Sequence, residues 1–370
     1  MRKNTFFIAS AIVLLTACSN NDEALTAFND DNPRVSNEFA ISNDEAKEVL
    51  TLFVNNGAET RSDGKSVTVK DYKVRNIEVT TDDNIQVVPV YEYNTVNEKG
   101  DEGYAIVVGD RRIQKVLAQV EVGSIGDTAK IAPLKQFFES IPGVVSNDLN
   151  KYLQKDRAST ATTRNMNDFY VDMIGPLIGT AWDQDSPYNS QCPILNGTHC
   201  KAGCTSIAIA QILAYYHKPS NLHWSLILQS STITSSSPSI VINEVASLIY
   251  SLGNALNASY GLNNTSVSEA NFQTIPSLFS SYGLSCSGQY TFLLSDVIYE
   301  IQHSRPVLLT SGTHDWVCEG WKRHNYDPST YYDYLYMNWG WGPYDNGFFY
   351  MDGSYSFLLC IPTKMFMNIH

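Results

Sequence analysis

Residues 202–213 read Ala202-Gly203-Cys204-Thr205-Ser206-Ile207-Ala208-Ile209-Ala210-Gln211-Ile212-Leu213, and the rest of the chain is best understood outward from them. Nearly every residue after Cys204 is small or apolar, which suits a buried helix. Gly203 supplies a tight backbone turn just ahead of it. A thiol at such a helix start faces unpaired N–H groups and the positive end of the helix dipole, which favours the thiolate. The same N–H groups can hold an oxyanion, so one local feature offers a nucleophile and a means of stabilising its transition state. Taken alone, Cys204 also fits a structural cysteine packed at a helix end.

A thiolate nucleophile needs a base that stays close and can be oriented. The histidine with a setting for this is His314, in Pro306-Val307-Leu308-Leu309-Thr310-Ser311-Gly312-Thr313-His314-Asp315-Trp316-Val317-Cys318-Glu319-Gly320. The first half reads as a buried strand, Ser311 to Thr313 as a turn, and Trp316 and Val317 as the return strand. His199, His217, His223, His303, His324 and His370 sit at loops, chain ends or the tail of a helix. A third segment, Tyr334-Leu335-Tyr336-Met337-Asn338-Trp339-Gly340-Trp341-Gly342, joins a β-rich stretch to an amide and two indoles. Asn338 can hydrogen-bond an imidazole and fix its tautomer, and an indole can shield that bond from water. Aromatic packing against a turn is the plainer reading of the two tryptophans. The order Cys, His, Asn in an exported chain favours chemistry over packing.

Export is written in the first residues. Arg2 and Lys3 precede an apolar run from Phe6 to Leu15, and Leu15-Thr16-Ala17-Cys18 has the form of a lipobox, so residues 1–17 read as a lipoprotein signal peptide with lipidation at Cys18. The run falls short of the roughly 18 apolar residues of a membrane span. The 370 residues carry a formal net charge of −13, and no dense Lys/Arg run or phosphate-cradling glycine loop is present, which argues against a nucleic-acid partner. An apolar content of 43% suffices for well-filled cores. Cysteines stand at 18, 192, 200, 204, 286, 318 and 360. Cys192 and Cys200 are close enough to bridge, though sequence does not assign pairing. With His199 and Cys204 they lack the paired C-x-x-C spacing of a strong zinc motif.

Residues 18–34 read as a polar, acidic tether. A small α+β unit follows over 35–153. Ser42-Asn43-Asp44-Glu45 has capping-box form, with Ala46, Val49, Leu50 and Phe53 recurring at helical spacing. Strands are expected at Ser66–Val74, Ile85–Tyr93, Tyr104–Val108 and Lys115–Val122, and a helix at Leu134–Ile141. Residues 154–167 turn to Ser, Thr, Ala and Asn with Arg157 and Arg164, a stretch open to proteolytic cutting, and 168–370 reads as a separate catalytic unit. Ser230–Ser239 reads as a surface loop.

Residues 165–370 resemble the streptopain family of papain-like cysteine peptidases, and residues ~35–150 resemble the propeptide that precedes it. The matching pieces are Trp182-Asp183-Gln184 with Ser186-Pro187-Tyr188-Asn189, Gly203-Cys204 with its helix through Gln211 to Pro219, His314-x-Trp316-Val317, and Asn338-Trp339-Gly340-Trp341-Gly342 with Asn346-Gly347-Phe348-Phe349. Gly103-Tyr104-Ala105-Ile106-Val107-Val108-Gly109-Asp110 fits the propeptide. The resemblance implies an α+β, papain-like fold: a helical part carrying the nucleophile and a curved antiparallel sheet carrying the base, preceded by a small α+β pro-domain. It also implies Cys204 as nucleophile, His314 as general base and then acid, the Cys204 N–H and Gln184 as oxyanion donors, and Asn338 and Trp339 sharing the orientation of the histidine. No metal or organic cofactor is required. The partners expected are protein or peptide substrates and the chain's own pro-domain as inhibitor, with membrane contact only through lipid on Cys18, at an outer membrane or cell surface.

Three positions depart from the family pattern. Thr313 and Asp315 flank His314 where small residues are usual, and Pro343 stands where a glycine is expected. Neighbours on a strand point to opposite faces, so Asp315 need not touch the imidazole. Two other functions share these features: amidase or transglutaminase-like acyl transfer on the same scaffold, and a surface binding protein that has kept the fold without activity.

Overall fold

The structure, a computed structural model, describes residues 38–55, 67–81, 84–128, 132–156, 171–327, 330–351 and 363–370. The signal peptide with Cys18, the tether, residues 157–167 of the processing linker and Cys360 lie outside them. In chain order the elements of the N-terminal half are α1 (Asn43–Asn55), β1 (Val67–Thr80), β2 (Ile85–Asn97), β3 (Glu102–Val108), β4 (Lys115–Val120), α2 (Ile125–Thr128) and α3 (Ala132–Asp156). The C-terminal half has β5 (Val171–Ile174), β6 (Ile194–Leu195), β7 (Thr198–His199), α4 (Cys204–Tyr215), α5 (Trp224–Ile227), α6 (Ser239–Ala255), α7 (Glu269–Phe272) and α8 (Ile275–Ser281). It ends with β8 (Tyr290–Thr291), α9 (Leu294–Gln302), β9 (Val307–Thr310), β10 (Asp315–Asp327), β11 (Thr330–Asn338), β12 (Gly347–Met351) and β13 (Lys364–Phe366).

Local chemistry accounts for the starts of these elements. The capping box forms as written: Ser42 N–H donates to Glu45 Oε2 at 2.7 Å and Glu45 N–H to Ser42 Oγ at 3.3 Å, which satisfies two orphan donors at the head of α1. Ala46, Val49, Leu50 and Phe53 are the residues α1 buries. The expected helix at 134–141 continues through Pro142 to Asp156, so the proline that ended the sequence reading lies inside the helix. Residues 229–238 are largely exposed loop.

Eleven strands make one sheet in the order β1-β2-β3-β4-β12-β11-β10-β9-β13-β8, with β5 added to β10. The sequence divides the chain at 154–167, yet the sheet runs straight across the two halves, because β4 pairs antiparallel with β12 through Gly347↔Val120, Phe348↔Gln119 and Phe349↔Ala118. A Cβ at Gly347 would lie 2.2 Å from Gln119 O, so the backbones meet here only because residue 347 has no side chain. One hydrophobic core follows the shared sheet, from Phe53, Tyr104 and Leu149 of the N-terminal half to Trp316, Trp339 and Phe349 of the C-terminal half. At this seam the Lys322 ammonium, on β10, donates to the carbonyl of Phe53 near the end of α1 and lies 3.8 Å from the centre of its ring. Lys115 and Asp148 of the N-terminal half form a buried ion pair, with the ammonium 4.1 Å and 4.2 Å from the ring centres of Tyr332 and Tyr350.

A second core lies on the other face of β9 and β10. Leu308 and Val317 point into it, together with the buried residues of α4, α6 and α8, while their neighbours Val307, Leu309, Trp316 and Cys318 point into the first. This alternation is the two-residue period of a strand covered on both faces. Helix α4 is buried from Thr205 to Ala214, and its first residue emerges beside the start of β10.

Enlarging Gly347 tests the seam. Gly347→Ala is expected to lower the stability of the whole chain by about 1–3 kcal/mol and to expose β1–β4 to limited proteolysis, read by urea midpoint and by fragment mass.

Candidate active site

Cys204 opens α4. Gly203 before it has φ 92°, and a Cβ there would come to 3.0 Å from Thr265 Cγ2, so the entry into the helix depends on glycine in both conformation and space. The Ala202 N–H donates to Gln184 O at 2.9 Å, which sets Gln184 beside the head of the helix. Its side-chain amide has no hydrogen-bond partner among the described residues.

His314 closes the turn from β9 into β10, its carbonyl accepting the Ser311 N–H at 3.0 Å. Its Nε2 lies 2.9 Å from Trp339 O. A carbonyl can only accept, so Nε2 carries the proton and Nδ1 of the neutral ring is left as an acceptor. The ring stacks on Trp341 at 4.6 Å between centroids and lies near Trp316 and Trp339 at 6.0 and 6.3 Å. Burial among these indoles pushes the imidazole down to about 4, opposed in part by the bond to Trp339.

Trp339 is held where it can do this. Its N–H donates to Asn346 Oδ1 and its indole to Asp345 O, both at 3.0 Å, and Asn346 Nδ2 donates to Gly342 O at 3.1 Å. Gly340 follows at φ 73°, where a Cβ would stand 3.0 Å from Ile207 Cγ2 of α4. Of the two residues expected to orient the histidine, the structure brings only Trp339 to it, through the main chain.

The Asn338 amide is committed elsewhere. It donates to Thr180 O at 2.8 Å and Glu319 Oε1 at 2.9 Å, and accepts from Gln211 Nε2 at 3.1 Å. Gln211 Oε1 accepts the Trp182 N–H at 3.0 Å, and Glu319 Oε2 the Ile178 N–H at 2.6 Å. This network fixes the middle of α4 to β10, β11 and the segment that leads to Gln184. Sequence reading missed Glu319 and Gln211; the available signal was a lone carboxylate and a lone amide inside otherwise apolar elements. Burial raises the Glu319 carboxyl to about 8.

Among the described residues no hydrogen bond joins Cys204 to His314. The sulfur accepts from the N–H groups of Thr205 and Asp315 instead, and burial, followed by the Asp315 carboxylate, pushes the thiol up to about 12 against those donors. The thiolate expected at the helix start is therefore not the resting form. In this arrangement the enclosure and one acid outweigh the helix N–H groups, and thiol and imidazole are both neutral at pH 7. Cys192, Cys200, Cys286 and Cys318 are also free thiols, so no 192–200 bridge is formed. Asp315 turns from the imidazole toward α4, and Thr313 stays exposed.

A helix-borne cysteine facing a strand-borne histidine, with the helical part on one face of an antiparallel sheet, defines a papain-like cysteine peptidase. Residues 182–349 match the Peptidase C10 family, and the chain is a cysteine-type endopeptidase similar to the streptopains. Streptopain of Streptococcus pyogenes is 24% identical over 366 residues, covering 85% of each chain, and the serotype M1 protein is 23% identical over the same span. A solved prointerpain A fragment of Prevotella intermedia superposes with a TM-score of 0.54 at 16% identity, covering 81% of this chain and 99% of that one. It shares the fold across both halves.

Two measurements check the buried network. Asn338→Ala leaves Gln211 and Glu319 without partners and is expected to cost about 1–3 kcal/mol of stability, while the Trp339 carbonyl still holds His314. Glu319, raised from 4.5 to about 8, is protonated in the fold and ionised in the unfolded chain between those values. Its stabilising contribution is complete below 4.5 and is lost as pH rises through 8. Glu319→Gln should therefore raise the urea midpoint at pH 9 relative to the parent, and much less at pH 5.

Proposed function

We propose that this chain is an exported cysteine endopeptidase precursor, in which Cys204 attacks peptide carbonyls and residues 35–153 hold the site inactive until the 154–167 segment is cut. The observation that carries this reading is the bond from His314 Nε2 to Trp339 O. It leaves Nδ1 as the basic nitrogen of a histidine on the strand beside the cysteine.

In the proposed cycle His314 takes the Cys204 proton at Nδ1, and the thiolate adds to the scissile carbonyl. The oxyanion is held by the Cys204 N–H and the unpartnered Gln184 amide. The imidazolium protonates the leaving amine, and a water deprotonated by His314 then hydrolyses the thioester. The bond at Nε2 persists through each step and stabilises the imidazolium when it forms.

The N-terminal half bears on this chemistry from behind. Its Val122 carbonyl accepts the Asp345 N–H at 2.7 Å, and the Asp345 carbonyl holds the Trp339 indole. Among the described residues the hydrogen bonds and ring contacts of Cys204 and His314 lie within the C-terminal half, so in this reading the N-terminal half inhibits through the loop that carries Trp339. Removing the N-terminal half frees that loop and admits water to the site, which lowers the thiol and raises the imidazole toward an ion pair. Lipid on Cys18 would tether the precursor to an outer membrane or cell surface and cutting would release the enzyme; protein or peptide chains are its substrates.

Purified residues 19–370 and the Cys204→Ala variant, followed by intact mass and casein cleavage, test this. The parent should shed a fragment ending within 154–167 and then degrade casein; Cys204→Ala and His314→Ala should lose about 10³-fold or more in kcat/KM. Iodoacetamide at pH 7 should label Cys204 of the processed enzyme about tenfold faster than that of the precursor. A parent that neither processes nor cleaves casein under reducing conditions from pH 4 to 9 would support the binding-protein reading instead.

A further inference from the structure

Asp315 is one of the positions at which this chain departs from its family's pattern, and it is buried at the point where the two parts of the site meet. Its carboxylate accepts the hydroxyl of Thr205, the residue after Cys204, and a second bond from the side chain of Thr310, its partner across the β9–β10 ladder. Its own N–H points at the Cys204 sulfur. Thr205 and Thr310 are buried as well. One residue thus grips the first turn of α4 by its side chain and the thiol by its main chain, while the preceding residue is His314.

A buried acid beside a thiol has an obvious cost, since its charge opposes the thiolate. The groups that face it are the Thr205 hydroxyl from α4 and the Thr310 hydroxyl from β9, and the titratable neighbour across the gap is Cys204; the imidazole of His314 is turned to Trp339. Two hydroxyls aimed at one carboxylate make a fixed clamp, and hydrogen bonds to a charged group are stronger and more directional than neutral ones. The clamp joins the residue following the nucleophile to the residue following the base, across 110 positions of sequence.

We propose that Asp315 is a positioning residue: through Thr205 it locks the head of α4 to the start of β10 and thereby sets the Cys204 sulfur relative to His314. The inference rests on the peptidase reading of those two residues. It accounts for an acid next to the base where a small side chain would otherwise stand.

The test uses residues 19–370 with Thr205→Val, Thr205→Ser, Asp315→Ala and Asp315→Asn, each checked for folding by circular dichroism. Two readouts are taken: kcat and KM on a peptide after processing, and the pH profile of Cys204 alkylation by iodoacetamide, followed on its own tryptic peptide. Thr205→Val, nearly isosteric, is expected to lower kcat about tenfold or more with KM within about twofold, as a misplaced reacting atom does, and Thr205→Ser to restore most of it. Asp315→Asn should recover more kcat than Asp315→Ala, and both should move the alkylation midpoint to lower pH because the opposing charge is gone. If Thr205→Val has the parent's kcat and the two Asp315 variants have its alkylation profile, Asp315 positions nothing. The alkylation profile is read whether or not the protein cleaves peptides, so failure of the peptidase reading and failure of the clamp appear in different measurements. Should Asp315→Ala not fold, the Thr205 pair decides.

Discussion

The Asn338 amide reaches Thr180 O, Glu319 and Gln211 at once, and the active site depends on that convergence. Gln211 lies two turns into α4, Glu319 on β10, and Thr180 on the approach to Gln184, so a single buried side chain ties together the elements that carry Cys204, His314 and Gln184. Buried polar groups are costly when unpaired, which makes the arrangement nearly all-or-none. With every partner present the helix can take only one height against the sheet. The consequence is felt at the head of α4, where Cys204 must meet a strand that arrives from 110 residues later.

Trp339 works on a different principle. It offers His314 a main-chain carbonyl, whose direction is set by backbone alone, and that backbone is held by the Trp339 indole on Asp345 O and the Trp339 N–H on Asn346. A carbonyl cannot titrate and cannot rotate away from its peptide plane, so it fixes the tautomer more rigidly than a side-chain amide would. The indoles of Trp316, Trp339 and Trp341 exclude water from the same bond. They are therefore also the cause of the depressed imidazole: the packing that protects the hydrogen bond opposes the charged form of the ring. A peptidase site needs that opposition relieved, and relief must come from outside the indole cluster.

How much of this could be read in the sequence follows from the range of each interaction. Cys204, His314 and their elements were legible because a helix start and a strand–turn–strand leave local signatures in residue period and glycine placement. The four strands and capping box of the N-terminal half were legible for the same reason. Whether Asn338 or Trp339 orients the histidine was not, since a carbonyl partner leaves no mark in residue type. The continuation of α3 past Pro142 was hidden by a rule that is usually sound. The pairing of β4 with β12 was hidden because it joins strands more than 220 positions apart, and its one sequence trace is Gly347, which also reads as an ordinary turn glycine. Asp315 was visible as an oddity, but its role was not, because only the fold puts Thr205 and Thr310 on either side of it.

Sheet continuity bears on how a precursor of this kind can be both stable and releasable. The N-terminal half completes an edge that would otherwise leave β12 with unpaired N–H and C=O groups, and it buries Phe53 and Phe137 against Phe348 and Phe349. The seam contains a weak point. The Lys322 ammonium, buried against Phe53, is held down to about 7 by its enclosure. A base whose folded-state value is lowered stabilises the fold progressively as pH rises above that value, and below it the seam carries the full burden of a buried charge. The change falls between that value and the ordinary lysine range, so the contact between the halves at α1 tightens on the alkaline side of neutrality and is little altered by acid. Cutting at 154–167 would remove the covalent link that keeps the halves at high effective concentration. The buried lysine already lowers the cost of parting the halves at neutral pH and below, so once the linker is cut release has less than the whole interface to overcome.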